Sequence, residues 1–292
     1  MKKTVLLSAA VVLLLASCKE TDLPLIGGSK TLNDTTYVAS AETPQTHNVL
    51  LEEFTGCSCS NCPAAHDVIN TLLTTYGGQL IPIGIHPKNF PQGDPYPGSV
   101  YDFRTDAGTA IGTQIYGGIT GMPEGGIDRV VYGTGLQLTK DKWPAAIAAR
   151  TSVASGVNLY VSSHYNAASA TDTIAVTIAY TQANSTNQNI NVAIVEDSLY
   201  DLQEDQNLTV DSNYLYTGVF RDLVTSVPSG DAILPSVSSK EAGRVVKLYY
   251  LYKVSTKVLF NPRHCRVVAF VTDASTGTID VLQTTQAPFV GN

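Results

Sequence analysis

The sequence has 292 residues, about twice the usual size of one domain, so we expect two domains once a targeting segment is subtracted. Charged residues make up 15 % of the chain, against about a quarter in an average globular protein, and the formal net charge is −7. This composition excludes a coiled coil, a disordered acidic chain and a basic nucleic-acid-binding protein. Five cysteines are present, and three of them fall within six residues.

The N-terminal segment has the pattern of a secretory signal. Two lysines precede an apolar stretch from Val5 to Leu15, which is too short for a stable membrane span. The small residues before Cys18 resemble the bacterial lipobox, so we expect Cys18 to receive lipid, such as palmitate, and to become the mature N-terminus. An ordinary cleaved signal with a free thiol is the alternative. A lipid predicts an outer-membrane lipoprotein, anchored at the periplasmic face or the cell surface.

The mature chain divides into three stretches by pattern. Residues 18–45 are polar, show no sustained period and are interpreted as a tether, with one strand at 37–39. The next stretch alternates apolar runs of strand type with helical spacing, which implies a parallel strand–helix–strand unit. Its predicted elements are strands at 48–54, 80–85 and 127–132, and helices at 63–76, 99–111 and 140–151.

Beyond residue 153 the chain changes to short alternating segments separated by turn residues. Such a series is typical of a β-sandwich. The irregular stretch 199–243 is long for a loop, so we expect it to contain one strand at 214–220. The other predicted strands are 157–165, 173–181, 190–197, 245–254, 266–272 and 279–283.

The cysteine cluster is the most informative segment for chemistry. Cys59 and Cys62 form a C-x-x-C that follows a predicted strand and opens a predicted helix. The unpaired amides at a helix N-terminus stabilise a thiolate, which would make Cys59 the attacking sulfur. Cys62, one turn inside the helix, is placed to resolve a mixed disulfide. The pattern therefore indicates a redox-active dithiol, with a static disulfide at the helix start as the alternative.

Here the sequence resembles the thioredoxin superfamily. Phe54 lies five residues before Cys59, as the strand-end Phe does in thioredoxins, and the segment 116–123, YGGITGMP, is similar to their G-I-x-G-x-P motif. The resemblance implies a cis bond before Pro123, which faces the disulfide and the substrate. It also implies that Glu53 is a buried acid that assists the resolving thiol.

A narrower resemblance covers most of the mature chain. The string LEEFTG at 51–56, the Cys59-x-Asn61-Cys62-Pro63 motif and the segment 220–222 resemble the outer membrane protein 28-related lipoproteins of Gram-negative bacteria. That family has no settled activity. The resemblance therefore bears on fold and location more than on function.

Together these observations predict an α/β thioredoxin-like domain followed by an all-β immunoglobulin-like sandwich domain. The predicted division is a signal peptide at 1–17, a lipidated tether at 18–45, the thioredoxin-like domain at 46–152 and the sandwich at 153–292.

Several residues keep a second interpretation. Cys57 is either an auxiliary thiol or a free buried one. Cys57, Cys59, Cys62 and His66 offer three thiolates and an imidazole in ten residues, a set that Cu(I) or Zn(II) could bind. Glu53 is either the proton partner of the thiol or an acid paired with Lys or Arg. Cys265 is expected to be a buried sandwich residue.

Two functions remain open from the sequence. The first is a thiol-disulfide oxidoreductase that needs no bound cofactor and acts on the cysteines of exported proteins, with Cys59, Cys62, Glu53 and Pro123 at its site. The second is a non-catalytic binding or assembly lipoprotein that recognises a surface protein partner through the β-sandwich. In both cases the lipid provides the membrane contact, and no nucleic acid is expected.

Overall fold

The computed structural model describes residues 34–133, 135–255, 261–275 and 279–290. The predicted signal peptide, the lipidation site Cys18 and most of the predicted tether lie outside these residues. Strands account for 43 % and helices for 17 % of the described residues, so the chain is mostly β. Within this part of the chain, no helix is both long and apolar enough to cross a membrane.

The first part of the described chain contains the predicted parallel unit. Two buried strands pair in parallel, with Val49 opposite Leu80 and Phe54 opposite Ile85, and a helix connects them. This part comprises β1 (Thr35–Val38), β2 (Val49–Phe54), α1 (Cys62–Tyr76), β3 (Leu80–Ile85), α2 (Asp106–Ala110), β4 (Glu124–Ile127), β5 (Leu138–Thr139) and α3 (Trp143–Thr151).

Two elements of this part differ from the prediction. The predicted strand 127–132 is wrong: β4 ends at Ile127, because Asp128 and Arg129 take φ angles of 50° and 52°, in the left-handed region that a strand cannot contain. The predicted helix 99–111 begins only at Asp106, where the side chain of Thr105 accepts a hydrogen bond from the amide of Gly108 and caps it.

The second part of the chain is β-structure, as its alternating pattern predicts. The stretch 199–243 holds four strands rather than the single one expected, because pairing stabilises strands whose local pattern is weak: β9 and β10 pair with each other, and β11 and β12 pair with β8. The strands are β6 (Val157–Asn166), β7 (Thr171–Tyr180), β8 (Gln188–Glu196), β9 (Leu199–Glu204), β10 (Val210–Tyr216), β11 (Val219–Leu223), β12 (Asp231–Ala232), β13 (Arg244–Lys253), β14 (Cys265–Asp273) and β15 (Val281–Pro288).

The predicted fold class, an α/β thioredoxin-like domain followed by an immunoglobulin-like sandwich, is wrong. Strands from both halves of the chain form one nine-stranded sheet in the order β15-β14-β8-β11-β3-β2-β4-β5, with β12 beside β8. The junction is the parallel contact of β11 with β3, where the amide of Gly84 donates to the carbonyl of Gly218 at 2.7 Å. The predicted boundaries at residues 45 and 152 stay a prediction.

The remaining strands pack on one side of this sheet or cover its ends. A four-stranded sheet, β1-β13-β7-β6, lies against β8 and β14, and the hairpin of β9 and β10 forms a separate two-stranded sheet. Strand β8 is buried on both faces: Ile190, Val192 and Ile194 face the four-stranded sheet, while Ala193 and Val195 face the core with α2. A strand buried on both faces is apolar throughout, as β8 is at its centre.

A buried ion pair links the central strand to the loop after β4. Glu52 accepts two hydrogen bonds of 2.8 Å from the guanidinium of Arg129 and one of 2.6 Å from the hydroxyl of Tyr116. Arg129 also lies over the ring of Phe270 on β14, at 4.9 Å. A Cβ atom at Gly126 would lie 2.1 Å from the Tyr116 hydroxyl, so glycine is required for the tyrosine to reach Glu52.

Replacing one partner of this pair should destabilise the protein strongly. In Arg129→Met the Glu52 carboxylate loses its counter-charge inside the protein, so we expect the free energy of unfolding to fall by about 3–5 kcal/mol. Denaturant unfolding measures the change, and the double variant Glu52→Gln/Arg129→Met should recover part of the loss. Arg244→Met, which breaks the exposed pair with Glu241, is the control and should cost less than about 1 kcal/mol. If Arg129→Met and Arg244→Met lost the same free energy of unfolding, the stabilising role assigned to the Glu52–Arg129 pair would be contradicted.

Candidate functional site

The candidate site is the cysteine loop between β2 and α1. Cys59 and Cys62 are joined by a disulfide with their Cα atoms 5.4 Å apart. Cys62 is the first residue of α1, and Pro63 follows it in the first turn, where a missing amide proton costs nothing. The disulfide therefore sits at the helix N-terminus that the sequence predicts, while the chemical roles of the two cysteines stay a prediction.

The β9–β10 hairpin encloses the disulfide. Cys59 is 3 % exposed and Cys62 is fully buried. The side-chain amide of Gln203 on β9 donates to the carbonyl oxygens of Gly56 and Cys59, and the backbone amide of Glu204 donates to the carbonyl of Cys57 at 2.9 Å. Three hydrogen bonds thus hold the hairpin to the loop.

Residues 87–95 form a second segment that packs against the cysteine loop. The backbone amide of Ser58 donates to the carbonyl of Gln92 at 3.2 Å. A Cβ atom at Gly56 would lie only 1.9 Å from the same oxygen, so the close approach of the two backbones requires glycine. The cysteine loop is therefore packed between two covering segments.

Cys57 is a buried free thiol beside the disulfide. It is 1 % exposed and packs with Phe103, Leu199 and Tyr216. Burial raises the pKa of its thiol to about 12, since the thiolate would lose its hydration, and the hydrogen bond with Tyr216 opposes this shift only in part. Cys57 is thus free and buried in this structure, and its role as an auxiliary thiol stays a prediction.

Glu53 lies on the face of β2 opposite to Glu52, under α1, as strand geometry predicts. It is 3 % exposed, and its Oε1 atom has no hydrogen-bond partner in the described part of the chain. The nearest ionisable nitrogen in its surroundings is Nε2 of His66, 3.5 Å from Oε1. Desolvation raises the pKa of Glu53 well above its ordinary value, so the carboxyl group holds its proton near neutral pH.

His66 connects Glu53 to the hairpin. Its Nδ1 atom lies 2.6 Å from the hydroxyl of Tyr214 on β10, and its Nε2 atom lies 3.1 Å from the hydroxyl of Thr55. Desolvation lowers the pKa of His66 to about 4, so the imidazole is neutral at physiological pH. The helix residue is therefore part of a buried polar cluster rather than a solvated position.

The Met122–Pro123 bond is cis, as the thioredoxin resemblance implies. Pro123 directly precedes β4, whose first residue, Glu124, pairs with Phe54 at the end of β2. The proline therefore lies beside the strand end from which the cysteine loop departs. Its contribution to a substrate site stays a prediction.

The alternative metal set is not assembled in this structure. Cys59 and Cys62 offer no thiolate while they are joined, and within the described residues no group of three or more His, Cys, Asp or Glu side chains is arranged to hold a metal ion. Cys265 is 4 % exposed in the core between the two large sheets, which confirms the sequence prediction.

Sequence reasoning missed the residues that the hairpin contributes. Gln203, Tyr214 and Tyr216 contact the cysteine loop or His66 from more than a hundred residues away in the chain. The alternation of Val210, Tyr214 and Tyr216 with polar residues is the local signal of a strand in this region. No local pattern indicates what that strand covers.

A family model described as "Outer membrane protein Omp28" matches residues 113–289 of the chain. The chain belongs to this family. It is accordingly a protein of the outer membrane. The match includes Pro123 and all strands from β4 to β15, but it begins after Cys57, Cys59 and Cys62. What the chain shares with the Omp28 family model is therefore mostly its β-structure.

Two solved structures, of HBP35 and of an Agrobacterium protein, share the fold of this chain at low sequence identity. HBP35 of Porphyromonas gingivalis has 15 % sequence identity and a TM-score of 0.59, over 86 % of this chain and 76 % of that one. A protein of Agrobacterium tumefaciens has 12 % identity and a TM-score of 0.50, over 86 % and 98 %. A domain of the outer membrane lipoprotein Omp28 from P. gingivalis has 17 % identity and a TM-score of 0.32, over 46 % and 96 %. No curated protein matches the sequence.

The raised pKa of Glu53 predicts a pH-dependent effect of its substitution. The native protein holds this proton to a higher pH than the unfolded chain, so the stabilisation is present at low pH and is lost as the pH rises through the native pKa. Glu53→Gln stays neutral, and its stability relative to the wild type should therefore increase above pH 4.5, by at most about 1.4 kcal/mol per pH unit.

Urea unfolding from pH 4 to pH 9 measures this difference. Glu241→Gln is the control. The Arg244 side chain lowers the pKa of Glu241, so the stability of this variant relative to the wild type should change with pH in the opposite direction. A pH-independent difference for Glu53→Gln would show that the buried carboxyl does not titrate as described.

Proposed function

We propose that this Omp28 family member is a non-catalytic binding lipoprotein, which recognises a protein partner through its β-structure. In this proposal the Cys59–Cys62 disulfide is a structural cross-link that fixes the start of α1 under the hairpin. The lipid on Cys18 that the sequence predicts would hold the protein at the outer membrane.

The main observation that supports the proposal is the burial of the disulfide. Thiol-disulfide exchange requires a thiolate to approach one sulfur along the S–S axis, so the attacked sulfur must be accessible. Cys59 is 3 % exposed, Cys62 is buried, and Gln203 and Glu204 tie the hairpin to their loop. A substrate thiol would therefore need a local rearrangement around the loop before it could reach either sulfur.

The extent of the family match also supports the proposal. It spans residues 113–289, which carry strands β4 to β15 with the hairpin among them, and it does not include the cysteine loop. A function common to this region would depend on the β-structure rather than on the C-x-x-C motif. Mostly β surfaces recognise partners through strand edges, strand faces and end loops.

Thiol-disulfide exchange on exported proteins is the second candidate. The observation that favours it is the position of the disulfide at the N-terminus of α1, where the helix amides would stabilise a Cys59 thiolate after reduction. In that case Cys59 attacks or receives the substrate sulfur, Cys62 resolves the mixed disulfide, and Glu53 and Pro123 have the roles that the sequence predicts.

Trapping of mixed disulfides separates the two functions. Cys62→Ala leaves Cys59 without its resolving partner, and Cys59→Ala is the matched control with the same loss of the cross-link. We expect equally few mixed disulfides with exported proteins in both variants, measured by non-reducing electrophoresis after acid quenching. A tenfold excess through Cys59 in Cys62→Ala would overturn the non-catalytic function.

A structural disulfide should also contribute to stability. For the short loop between Cys59 and Cys62, the chain-entropy relation gives about 2 kcal/mol. We therefore expect Cys59→Ala/Cys62→Ala to unfold at a lower denaturant concentration than the wild type, by an amount that corresponds to this value. An unchanged midpoint would mean that the cross-link does not stabilise the native state.

A further inference from the structure

A cavity of about 260 Å³ lies beside the cysteine loop, between α1, β3 and the end of the hairpin. Its floor is Pro82 and Gly84 of β3, and the missing side chain of Gly84 leaves this part of the sheet uncovered by α1. Its volume is several times the share of one water molecule in the liquid, about 30 Å³. The cavity is therefore large enough for a small organic group.

The cavity contains two carboxyl groups, of which Glu53 is protonated near neutral pH in the absence of a ligand. Glu53 lies at its buried end and Asp67 of α1 lies at its exposed end. Among the described residues that line it, none is Lys or Arg. The guanidinium of Arg266 donates to the carbonyl of Pro82, but the Asp197 carboxylate holds it at 3.0 Å. The cavity thus has acceptors and no cation of its own.

Two side chains with acceptor atoms, Glu53 and Tyr214, line the cavity. Oε1 of Glu53 has no hydrogen-bond partner in the described part of the chain, although a buried polar atom is normally paired. Tyr214 lines the same cavity, and its hydroxyl is 2.6 Å from Nδ1 of His66. When His66 carries its proton on Nε2, the Tyr214 hydroxyl donates to Nδ1 and keeps its own lone pairs free to accept.

The rim of the cavity is apolar on the hairpin side, at Leu215, whereas Asp67 and Asn70 of α1 are exposed on the other side. Leu215 is 47 % exposed, and its neighbour across the hairpin, Tyr200, is 53 % exposed. An apolar side wall above a carboxyl group matches an alkyl chain that carries a positive group at its tip. A lysine side chain has this distribution of polarity.

We infer that this cavity is a binding site for an alkylammonium group, with the ammonium between Glu53 and Tyr214 and the alkyl chain against Leu215. The group is the lysine side chain of a protein partner. The inference rests on the proposed binding function and specifies its chemistry, whereas thiol trapping tests the non-catalytic disulfide alone.

Other ligand classes fit less well. An anion would meet two acidic side chains and no basic one. A metal ion needs several ligands at fixed distances, and no such group of His, Cys, Asp or Glu occurs in the described parts of the chain. An ammonium group carries three donors on one positive atom, which suits a carboxylate and a hydroxyl at the end of a narrow cavity.

Calorimetric titration of the full mature protein with n-butylammonium tests the site. We expect millimolar binding, at least tenfold weaker binding to Glu53→Gln, and a smaller loss in Asp67→Asn. The isosteric n-butanol should not bind, and Glu241→Gln, far from the cavity lining, is the matched control with unchanged affinity. Equal binding of butylammonium to the wild type and Glu53→Gln would overturn the inference.

Proton release gives a test without any substitution. Burial keeps Glu53 protonated, and an ammonium beside it lowers its pKa, so binding near neutral pH should release up to one proton. His66, Asp67 and Tyr214 are the other titratable groups that line the cavity. Neutral His66 has no proton to lose near pH 7, and burial raises the pKa of Tyr214 above its ordinary value, so its hydroxyl keeps its proton. Heats that are the same in buffers of different ionisation enthalpy would contradict the site.

Two ligands distinguish the source of the ammonium. Nα-acetyl-lysine N-methylamide represents a lysine in a protein, and putrescine represents a free diamine. We expect the lysine derivative to bind at least as tightly as butylammonium, because its backbone remains outside the rim. Tenfold tighter binding of putrescine would keep the ammonium site but overturn lysine as its natural occupant.

Discussion

The buried pair of Glu52 and Arg129 is the interaction on which the arrangement of the two halves depends. It joins the central strand β2, the left-handed turn after β4, the Tyr116 hydroxyl and, through the guanidinium face, Phe270 of β14. A charge without its partner at this depth would cost several kcal/mol, so the pair fixes the position of these segments. The contact thus joins β2 and β14, two strands of the nine-stranded sheet from different halves of the chain.

The same strand places a second acid on its other face with the opposite outcome. Glu52 is paired with Arg129 and Tyr116, whereas Glu53 is protonated and has an unpartnered oxygen. Two adjacent carboxyl groups therefore have different chemical roles, because the strand turns successive side chains to opposite faces. Glu52 stabilises the fold, and Glu53 lies at the end of a cavity between α1 and the hairpin, where it can meet a ligand.

The hairpin packs against the cysteine loop. It covers the disulfide through Gln203 and Glu204, and it supplies Tyr214 to the histidine cluster. The C-x-x-C motif and its position before α1 follow from local sequence patterns, and the thioredoxin resemblance implies the cis bond before Pro123. The cover comes from strands that pair with each other inside a stretch whose pattern predicts only one strand. The C-x-x-C motif by itself favours a catalytic interpretation. Its burial next to the β9–β10 hairpin favours the proposed structural cross-link.

The sequence by itself determined the parallel unit of β2, α1 and β3, the two faces of β2, the series of strands after residue 153 and the Omp28 resemblance. These features depend on periodicity and on neighbouring residues, which a linear pattern records. Only the tertiary structure decided that β11 pairs with β3 and merges the halves into one sheet, and that the hairpin encloses Cys59 and Cys62. Such contacts join residues more than a hundred positions apart, and their free energy comes from burial and hydrogen bonding that no local window of sequence contains.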